Sequence, residues 1–250
     1  MKSINRYVIL SMISLCFLYA CKDDKVDCTT FHWGYEGESG PEHWAECSED
    51  CGGETQSPIN INGAVTDNTL VPFSSNYDST GIHIINNGHT LEFKYEEGFI
   101  VFQGVTYEVL QFHYHAPSEH TIAGQHFPLE LHIVHKNEST GNLAVIGILL
   151  EIGNENPFIQ RFINNLPDET NEVYQSPAKI HLNELLPADR HYYTYSGSLT
   201  TPPCSEIVSW IVLQTPVSIS ASQLERFTDI IEDNNRPVQP LNGRVIREPI

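Results

Sequence analysis

The sequence predicts a mainly β protein, an α+β fold with only a few short helices, and three observations lead to this expectation. Short runs rich in Val, Ile, Phe and Tyr follow one another along residues 82–219, with Gly, Asn and Pro between them. Helical patterns are few by comparison. The chain has 250 residues, of which 40% are hydrophobic, and no internal repeat, so it can bury the core of a single domain.

The N-terminal residues predict export rather than a part of the fold. Basic residues precede an apolar run, residues 7–20, that is too short to span a bilayer and is typical of a secretory signal peptide. The run ends in "LYAC", which resembles the lipobox of bacterial lipoproteins, so residues 1–20 would be removed and Cys21 would carry lipid. Residues 21–30 would then tether the protein in the bacterial cell envelope, on the periplasmic or the cell-surface face of the outer membrane. Ordinary cleavage and full secretion is the alternative.

Charge limits the partners that the chain can bind. The formal net charge is −19, from 13 basic and 32 acidic residues. A surface of this sign repels nucleic acid and anionic lipid headgroups, so no nucleic-acid partner is expected, and solubility is the simpler consequence of the charge. The sequence predicts no particular oligomeric state.

The six cysteines also fit an exported protein. Cys16 would leave with the signal peptide and Cys21 would take lipid, so an even number remains and two disulfides are predicted. The remaining cysteines are Cys28, Cys47, Cys51 and Cys204. Their spacing allows more than one pairing and does not choose among them.

The elements follow from these patterns in chain order. Residues 31–62 are rich in Gly, Pro and Trp without a sustained period, which predicts irregular structure around the core. The predicted strands lie within residues 82–95, 99–115, 129–136, 143–153, 191–200 and 207–219. Residues 156–166 and 220–234 carry the best helical patterns, and Ser220 or Ser222 could cap the second.

Two histidines alternate with aromatic residues in the stretch "LQFHYH", residues 110–115. In a strand, alternation would place on one face Gln111, His113 and His115. The opposite face would carry Leu110, Phe112 and Tyr114. Two imidazoles on one face can share a metal ion, although a strand His is more often a hydrogen-bonded core group.

A third histidine makes the metal site the better interpretation. In "LELHIVHK", residues 129–136, alternation would place on one face Glu130, His132 and Val134. In both strands a hydrogen-bonding residue, Gln111 or Glu130, stands two positions before a His, and such groups hold the second ring nitrogen of a metal-bound His. Three neutral imidazoles leave one position open on tetrahedral zinc, which is the arrangement of a catalytic site.

The motifs of the chain, taken together, resemble those of α-class carbonic anhydrases. In order, they are "HWGY", "GPEHW", "QSPINI", "NNGH", "QFHYHAPSEHT", "ELHIVH", "LAVIGILL", "YSGSLTTPPC", "WIVL" and "RPVQPLNGR". They cover residues 31–250, which would form the catalytic domain, and "HAPSEHT" is similar to the bacterial branch. The resemblance implies a large central, mostly antiparallel twisted sheet with a zinc site on its strands.

The resemblance also implies the reaction, which is the reversible hydration of carbon dioxide to bicarbonate and a proton by attack of zinc-bound hydroxide. The implied ligands of Zn²⁺ are those that alternation selects, namely His113, His115 and His132. Gln111 and Glu130 match the groups that hold these ligands. Thr200 matches a threonine whose oxygen accepts a hydrogen bond from the hydroxide, and Glu119 matches the carboxylate that accepts a hydrogen bond from Thr200.

The substrate and the product proton have implied sites of their own. The apolar wall for carbon dioxide would consist of Val134, Val145, Leu199 and Trp210, with Thr200 and Thr201 beside it. Each of these apolar residues, taken alone, is more often a core residue.

His89 in "NNGH" matches the proton shuttle of the family, a role that needs a pKa near the working pH. The waters between the shuttle and the metal would be ordered by Tyr35, Asn86 and Thr201. A surface His in a turn is the plainer interpretation of His89. Glu92 stands where many members of the family have a neutral amide, so the water network can differ here.

The resemblance pairs Cys51 with Cys204, a bond that would brace the loop bearing Thr200. Cys28 and Cys47 are left to pair with each other by subtraction.

Two other functions compete with the enzyme. A non-catalytic binding module of the same family would have lost ligands, whereas this chain keeps the full set of implied site residues. A zinc esterase would use the same hydroxide, but the narrow apolar wall argues against esters as the main substrates.

Overall fold

One large β-sheet organises the part of the chain that the structure describes, residues 28–250 of a computed structural model. The signal peptide and the acylated Cys21 that the sequence predicts fall outside the described residues. Among the described residues, none of the helices has the length and apolar character needed to cross a membrane.

The elements of residues 28–250 are mainly short strands. The strands are β1 (Asn60–Ile61), β2 (Val65–Thr66), β3 (Ser74–Tyr77), β4 (Thr80–Asn86), β5 (Leu91–Lys94), β6 (Gly98–Phe102), β7 (Val105–His115), β8 (Thr121–Ile122), β9 (Gln125–His126), β10 (Leu129–Lys136), β11 (Leu143–Ile152), β12 (Val173–Ile180), β13 (Tyr192–Gly197), β14 (Val208–Leu213), β15 (Val217–Ile219) and β16 (Arg247–Glu248). The α-helices are α1 (Trp44–Cys47) and α2 (Ala221–Thr228), and the 3-10 helices are Gly37–Ser39, Glu49–Gly52, Ile159–Arg161, Ile163–Asn165 and Leu182–Glu184. The predicted fold class is confirmed.

The large sheet has 13 strands and is mostly antiparallel, as expected. Its main path is β12-β4-β5-β7-β10-β11-β14-β13-β16-β2, while β6 joins beside β7, β3 beside β6 and β15 beside β11. The parallel pairs are β11 with β14, β11 with β15, and β16 with β2. The two strands with the candidate histidines, β7 and β10, are therefore neighbours at the centre of the sheet, where both faces are covered.

The two faces of β10 follow the predicted alternation. Leu129, Leu131 and Ile133 belong to the larger core cluster, whereas Val134 belongs to a second cluster that includes Trp210. Since successive side chains of a strand point to opposite faces, the two clusters cover the two sides of the sheet at this point.

The alternation of β7 fails at one residue. Phe112 and Tyr114 enter the larger cluster as predicted, but Leu110 packs against the second cluster. The β10 partners of Gln111 and Val109 are consecutive residues, so Leu110 is an extra residue in β7. A β-bulge of this kind shifts the side-chain alternation by one, and the placement of Leu110 with Phe112 and Tyr114 was wrong for this reason.

One of the two predicted helices forms as an α-helix, and the other does not. Helix α2 begins at Ala221 after Ser220, whose hydroxyl accepts a hydrogen bond from the Gln223 N–H in a capping box, but it ends at Thr228. Residues 156–166 form two 3-10 helices instead of one α-helix, because the backbone breaks at Phe162 with φ −133°. The side chain of Phe162 is fully buried, so tertiary packing determines the local backbone there.

Two disulfides tie the N-terminal segment to the domain. Cys51 is bonded to Cys204 and Cys28 to Cys47, the pairing that the sequence analysis expected. The first bond is buried beside an N-terminal aromatic cluster that consists of Trp33, Tyr35 and Trp44, whose rings meet edge to face.

Candidate active site

Three histidines of the two central strands meet on one face of the sheet. His132 of β10 lies directly opposite His113 of β7, and His115 follows two residues later on the same face. The ring centroids lie 4.7 to 5.3 Å apart, and one nitrogen from each ring lies within 4.8 Å of the other two. Strand register therefore brings together the three ligands that the sequence predicts.

Two of the rings are held from behind by residues of their own strands. Nδ1 of His113 donates to Gln111 Oε1 at 2.8 Å, and Nε2 of His132 donates to Glu130 Oε1 at 2.9 Å. These hydrogen bonds fix the tautomers, so that Nε2 of His113 and Nδ1 of His132 are left for a metal ion. Both supporting residues are those predicted from the sequence.

The third ring is held by a residue that the sequence analysis missed. Nδ1 of His115 donates to the backbone carbonyl of Asn234 at 2.7 Å. A backbone carbonyl carries no residue-type signal, and the two residues are 119 positions apart, so no pattern in the sequence indicates the contact.

The donor set fits zinc. Nε2 of His115 is buried and has no hydrogen-bond partner among the described residues, which is costly unless a ligand takes it. Burial lowers the pKa of His113 well below its usual value and also lowers that of His115, so both rings are neutral ligands at neutral pH. Burial acts in the same direction on His132, but the charge and hydrogen bond of Glu130 outweigh it and raise the pKa. A metal ion would bind the neutral form of the ring and so compete with protonation of His132.

A second cluster of buried groups adjoins the first through Glu130. His120 donates from Nδ1 to Glu130 Oε1 at 2.7 Å and from its backbone N–H to Oε2 at 2.8 Å, while its Nε2 lies 2.7 Å from the Tyr195 hydroxyl. Every one of these polar atoms has a partner, so the cluster is a hydrogen-bonded support for His132 rather than another metal site. His120 is a second residue that the sequence analysis missed, although it lies within the motif "PSEHT".

Glu119 is fully buried beside the three histidines. Its Oε1 accepts a hydrogen bond from the backbone N–H of Arg236 at 2.9 Å. Its Oε2 has no hydrogen-bond partner among the described residues, and it lies 3.6 Å from His115 Nε2 and 3.8 Å from His132 Nδ1. Thr200 is also buried, but it forms no hydrogen bond with Glu119 in residues 28–250, so that bond stays a prediction.

The apolar residues assigned to the substrate wall form a row across three neighbouring strands. Val134 pairs with Val145, and Val145 pairs with Trp210. The indole of Trp210 lies 4.8 Å from the ring of His132, and Leu199 packs against the same cluster. The wall and the histidines therefore share one face of the sheet.

The loop after β13 closes this side of the site. The Trp210 indole N–H donates to the Ser198 carbonyl at 3.1 Å, and the backbone N–H of Cys204 donates to the Thr201 carbonyl at 2.9 Å. The Cys51–Cys204 disulfide fixes the end of the loop. Thr200 and Thr201 are thus held in a short segment that is tied at both ends.

His89 lies in a turn at the edge of this region. Its backbone N–H donates to Asn87 Oδ1 at 3.0 Å, and Gly88 has φ +84°, a conformation that favours glycine. The half-buried imidazole stacks on Trp33 with ring centroids 3.7 Å apart and planes 12° apart. Burial lowers the pKa of His89.

The remaining predicted positions have contacts of their own. The amide of Asn86 donates to the carbonyls of Pro167 and Asp168, and its oxygen accepts from Gly88 N–H, so these contacts do not support a role in ordering water. Burial raises the pKa of Tyr35 well above its usual value, with a smaller contribution from the Glu119 carboxylate.

Glu92 of β5 pairs directly with His113, so its side chain lies on the same face of the sheet as the metal ligands. A carboxylate therefore stands beside the candidate metal site, at a position that the sequence analysis singled out.

Comparisons with known proteins agree with this geometry. The family model described as eukaryotic-type carbonic anhydrase matches residues 39–250. A carbonic anhydrase of Klebsiella pneumoniae is 44% identical over 225 residues, which cover 87% of this chain and 91% of that protein. Another of Neisseria gonorrhoeae is 42% identical over 230 residues, which cover 87% and 88%.

Solved structures give the same result. The α-carbonic anhydrase of Thermovibrio ammonificans, solved with the inhibitor sulfanilamide, has a TM-score of 0.83 at 46% identity and covers 86% of this chain and 98% of its own. The α-carbonic anhydrase of Photobacterium profundum also has a TM-score of 0.83, at 37% identity, and covers 86% and 100%.

Proposed function

Because the chain belongs to the eukaryotic-type, or α-class, carbonic anhydrase family, it is a zinc-dependent lyase that reversibly hydrates carbon dioxide. We propose which of its residues serve each step of that reaction. The observation that carries the proposal is the set of His113, His115 and His132, in which each second ring nitrogen is held by a protein group. Zinc held by these residues would supply a hydroxide nucleophile, since it lowers the pKa of water towards neutrality, as is established for carbonic anhydrases.

Thr200 and Glu119 orient the nucleophile in this proposal. We propose that the Thr200 hydroxyl donates to Glu119 Oε2. Among the described residues this buried oxygen has no hydrogen-bond partner, so it can accept. Once that donor is committed, the Thr200 oxygen can only accept a hydrogen bond from the attacking hydroxide, which directs a lone pair at the substrate. The charge of Glu119 is stabilised by the backbone N–H of Arg236.

The row of Val134, Val145 and Trp210 binds carbon dioxide beside the nucleophile. The substrate is apolar and has no group for strong hydrogen bonds, so the wall excludes water and positions the carbon atom. Leu199 and Thr201 complete this pocket from the loop side.

His89 carries the product proton from the site to bulk water. Its ring is half-buried and its pKa is lowered by burial, so it can release a proton readily at neutral pH. Tyr35 and Asn86 are proposed to order the intervening waters, a role for which the contacts of Asn86 give no support.

The protein acts outside the cytoplasm, and its Cys21 carries lipid. Two disulfides in the described residues favour an oxidising compartment, and the "LYAC" sequence favours acylation. Mass spectrometry of the native N-terminus tests the anchor. A chain that starts at an unmodified residue after Cys21 would rule it out.

Zinc dependence is tested by measuring carbon dioxide hydration before and after removal of the metal by a chelator. We expect activity to disappear and to return on addition of Zn²⁺. Activity that survives complete removal of zinc would contradict the proposal.

A further inference from the structure

The segment after α2 brings a buried asparagine between two parts of the active site. Residues 229–234 turn back towards the sheet, with φ +53° at Asp233 and an isolated bridge between Glu232 and Ala116. The next residue is Asn234, and only 3% of its surface is exposed. A side chain in this position needs partners for all its polar atoms.

Asn234 has those partners on both sides. Its backbone carbonyl accepts from the ring of His115, and its side-chain Oδ1 accepts from the Ala116 N–H at 2.8 Å. Its Nδ2 donates to the Tyr114 carbonyl and to the His89 carbonyl, each at 3.0 Å. One residue thus contacts a metal ligand, the strand that carries it and the backbone of the shuttle histidine.

The turn that carries His89 joins β4, which ends at Asn86, to β5, which begins at Leu91 and pairs with β7. Asn87 holds the turn internally, through bonds to the N–H groups of His89 and Thr90. The Thr90 hydroxyl donates to the Tyr114 carbonyl, which fixes the far end of the turn. The backbone of His89 itself is tied to the strand of the ligands through Asn234 alone among the residues 28–250.

We propose that Asn234 is a positioning residue that fixes the shuttle His89 relative to the metal ligand His115; this inference rests on the proposed shuttle role of His89. Proton transfer through a short water chain depends steeply on the distance between donor and acceptor. The amide sets that distance by joining the carbonyl of His89 to the strand of His115. Its backbone carbonyl holds the ligand ring independently of the side chain.

The Asn234→Ala variant separates the role of the backbone carbonyl of Asn234 from the role of its side chain. It keeps the carbonyl that holds His115 and removes the side-chain hydrogen bonds to His89, Tyr114 and Ala116, so zinc should remain bound. We expect kcat in weak buffer to fall about threefold to tenfold, the effect of one lost positioning hydrogen bond, while kcat/KM falls less than about twofold. Added imidazole should recover most of the lost kcat.

A readout that does not depend on activity comes from NMR of the protein. The ring protons of His89 lie under the Trp33 indole, and their resonances should be shifted upfield by the stacked ring. In Asn234→Ala these resonances should move towards the values of an unstacked histidine. Unchanged resonances would overturn the proposal.

Asn156→Ala is the matched control. Asn156 is also buried, and its side chain accepts from the N–H groups of Phe158 and Ile159 and donates to the Ser218 carbonyl, away from the site. Like Asn234→Ala, this variant should lower the melting temperature. It should leave KM, which is the ratio of kcat to kcat/KM, unchanged. Should Asn234→Ala fail to fold, Asn234→Asp keeps the acceptor for Ala116 and loses both donors, and it is measured identically.

A double-mutant cycle with His89→Ala decides the mechanism. If Asn234 acts through His89, then Asn234→Ala should have little further effect on kcat in the His89→Ala background. A loss of kcat that persists in that background, or an equal loss of kcat and kcat/KM, overturns the inference. If His89→Ala alone keeps full kcat in weak buffer, the shuttle assignment fails first, and the inference fails with it.

Discussion

The metal-binding face of this molecule and the edge at which we propose that protons leave hold their histidines in different ways. His113, His115 and His132 lie on adjacent central strands, and each ring is oriented by a hydrogen bond of 2.7 to 2.9 Å. The ring of His89 lies in a turn, stacks on Trp33, and has no hydrogen-bond partner among residues 28–250. The rings of the metal ligands are thus fixed by directional bonds, while the ring of His89, which we propose exchanges protons with water, is held by a stacking contact instead.

The largest expected effect is the loss of a ligand on the rigid side. His132→Ala removes one of three nitrogens, so metal analysis should find little zinc and activity should fall to background. His135→Ala is the control, because His135 is a fully buried histidine of the same strand that bonds to Tyr77 instead. A full equivalent of zinc in His132→Ala would remove that residue from the ligand set.

The next largest effect should come from removal of the Cys51–Cys204 disulfide. Cys51→Ser with Cys204→Ser opens a loop with a sequence separation of 153, which should lower the free energy of unfolding by about 4 to 5 kcal/mol in the chain-entropy treatment. The matched Cys28→Ser, Cys47→Ser pair, with a separation of 19, should cost about 3 kcal/mol. Urea denaturation measures both, and equal losses would mean that loop length does not determine the effect.

Removal of a supporting group should weaken the metal site without abolishing it. Gln111→Ala leaves the ring of His113 without its hydrogen bond, so the affinity for zinc should fall about 10- to 100-fold in a chelator competition. Glu92→Gln is the comparison, since Glu92 faces the same histidine from β5 but makes no hydrogen bond to it among the described residues. Equal affinities of the two variants would show that proximity rather than the hydrogen bond matters.

At the edge where we propose that protons leave, His89→Ala should reduce kcat in weak buffer about tenfold or more, while kcat/KM changes far less. Imidazole in the buffer should restore part of kcat, because it replaces the missing side chain. His83→Ala removes another half-buried histidine from the neighbouring strand β4 and should leave kcat as it is. Full kcat in His89→Ala would leave Glu92 or bulk water as the proton carrier.

The smallest effect should appear when the stacking partner is removed. Trp33→Ala exposes the ring of His89, and since burial disfavours the charged imidazolium, the pKa should rise towards its usual value of 6.5. An NMR pH titration of the His89 ring measures the shift. An unchanged pKa would mean that other residues bury the ring.

The same contrast explains what the sequence can predict. The alternation of β10 identifies Glu130, His132 and Val134 correctly, because a central strand that is buried on both faces leaves its side chains only two directions. The prediction for Leu110 fails since a bulge depends on the partner strand, which a local pattern does not contain. Strand β12 was not predicted because it lies at the edge of the sheet, is mostly exposed and contains Pro177.

The residues that orient the site are harder to predict from the sequence than the metal ligands are. Gln111 can be found because it stands two residues from the ring that it holds. Asn234 and Arg236 act through backbone groups on residues more than 100 positions away. These contacts form only in the folded chain, so no sequence pattern indicates them. The residue types that carry chemistry are visible in a sequence, and the backbone atoms that orient them are not.

The order of the cysteines along the chain has a consequence for biosynthesis. In a protein exported N-terminus first, Cys28, Cys47 and Cys51 reach the oxidising compartment long before Cys204, which lies 153 residues after its partner. A bond between Cys28 and Cys47, only 19 residues apart, can form while the chain is still crossing the membrane. Once that bond has formed, Cys28 and Cys47 no longer compete for Cys51, which then stays available for Cys204.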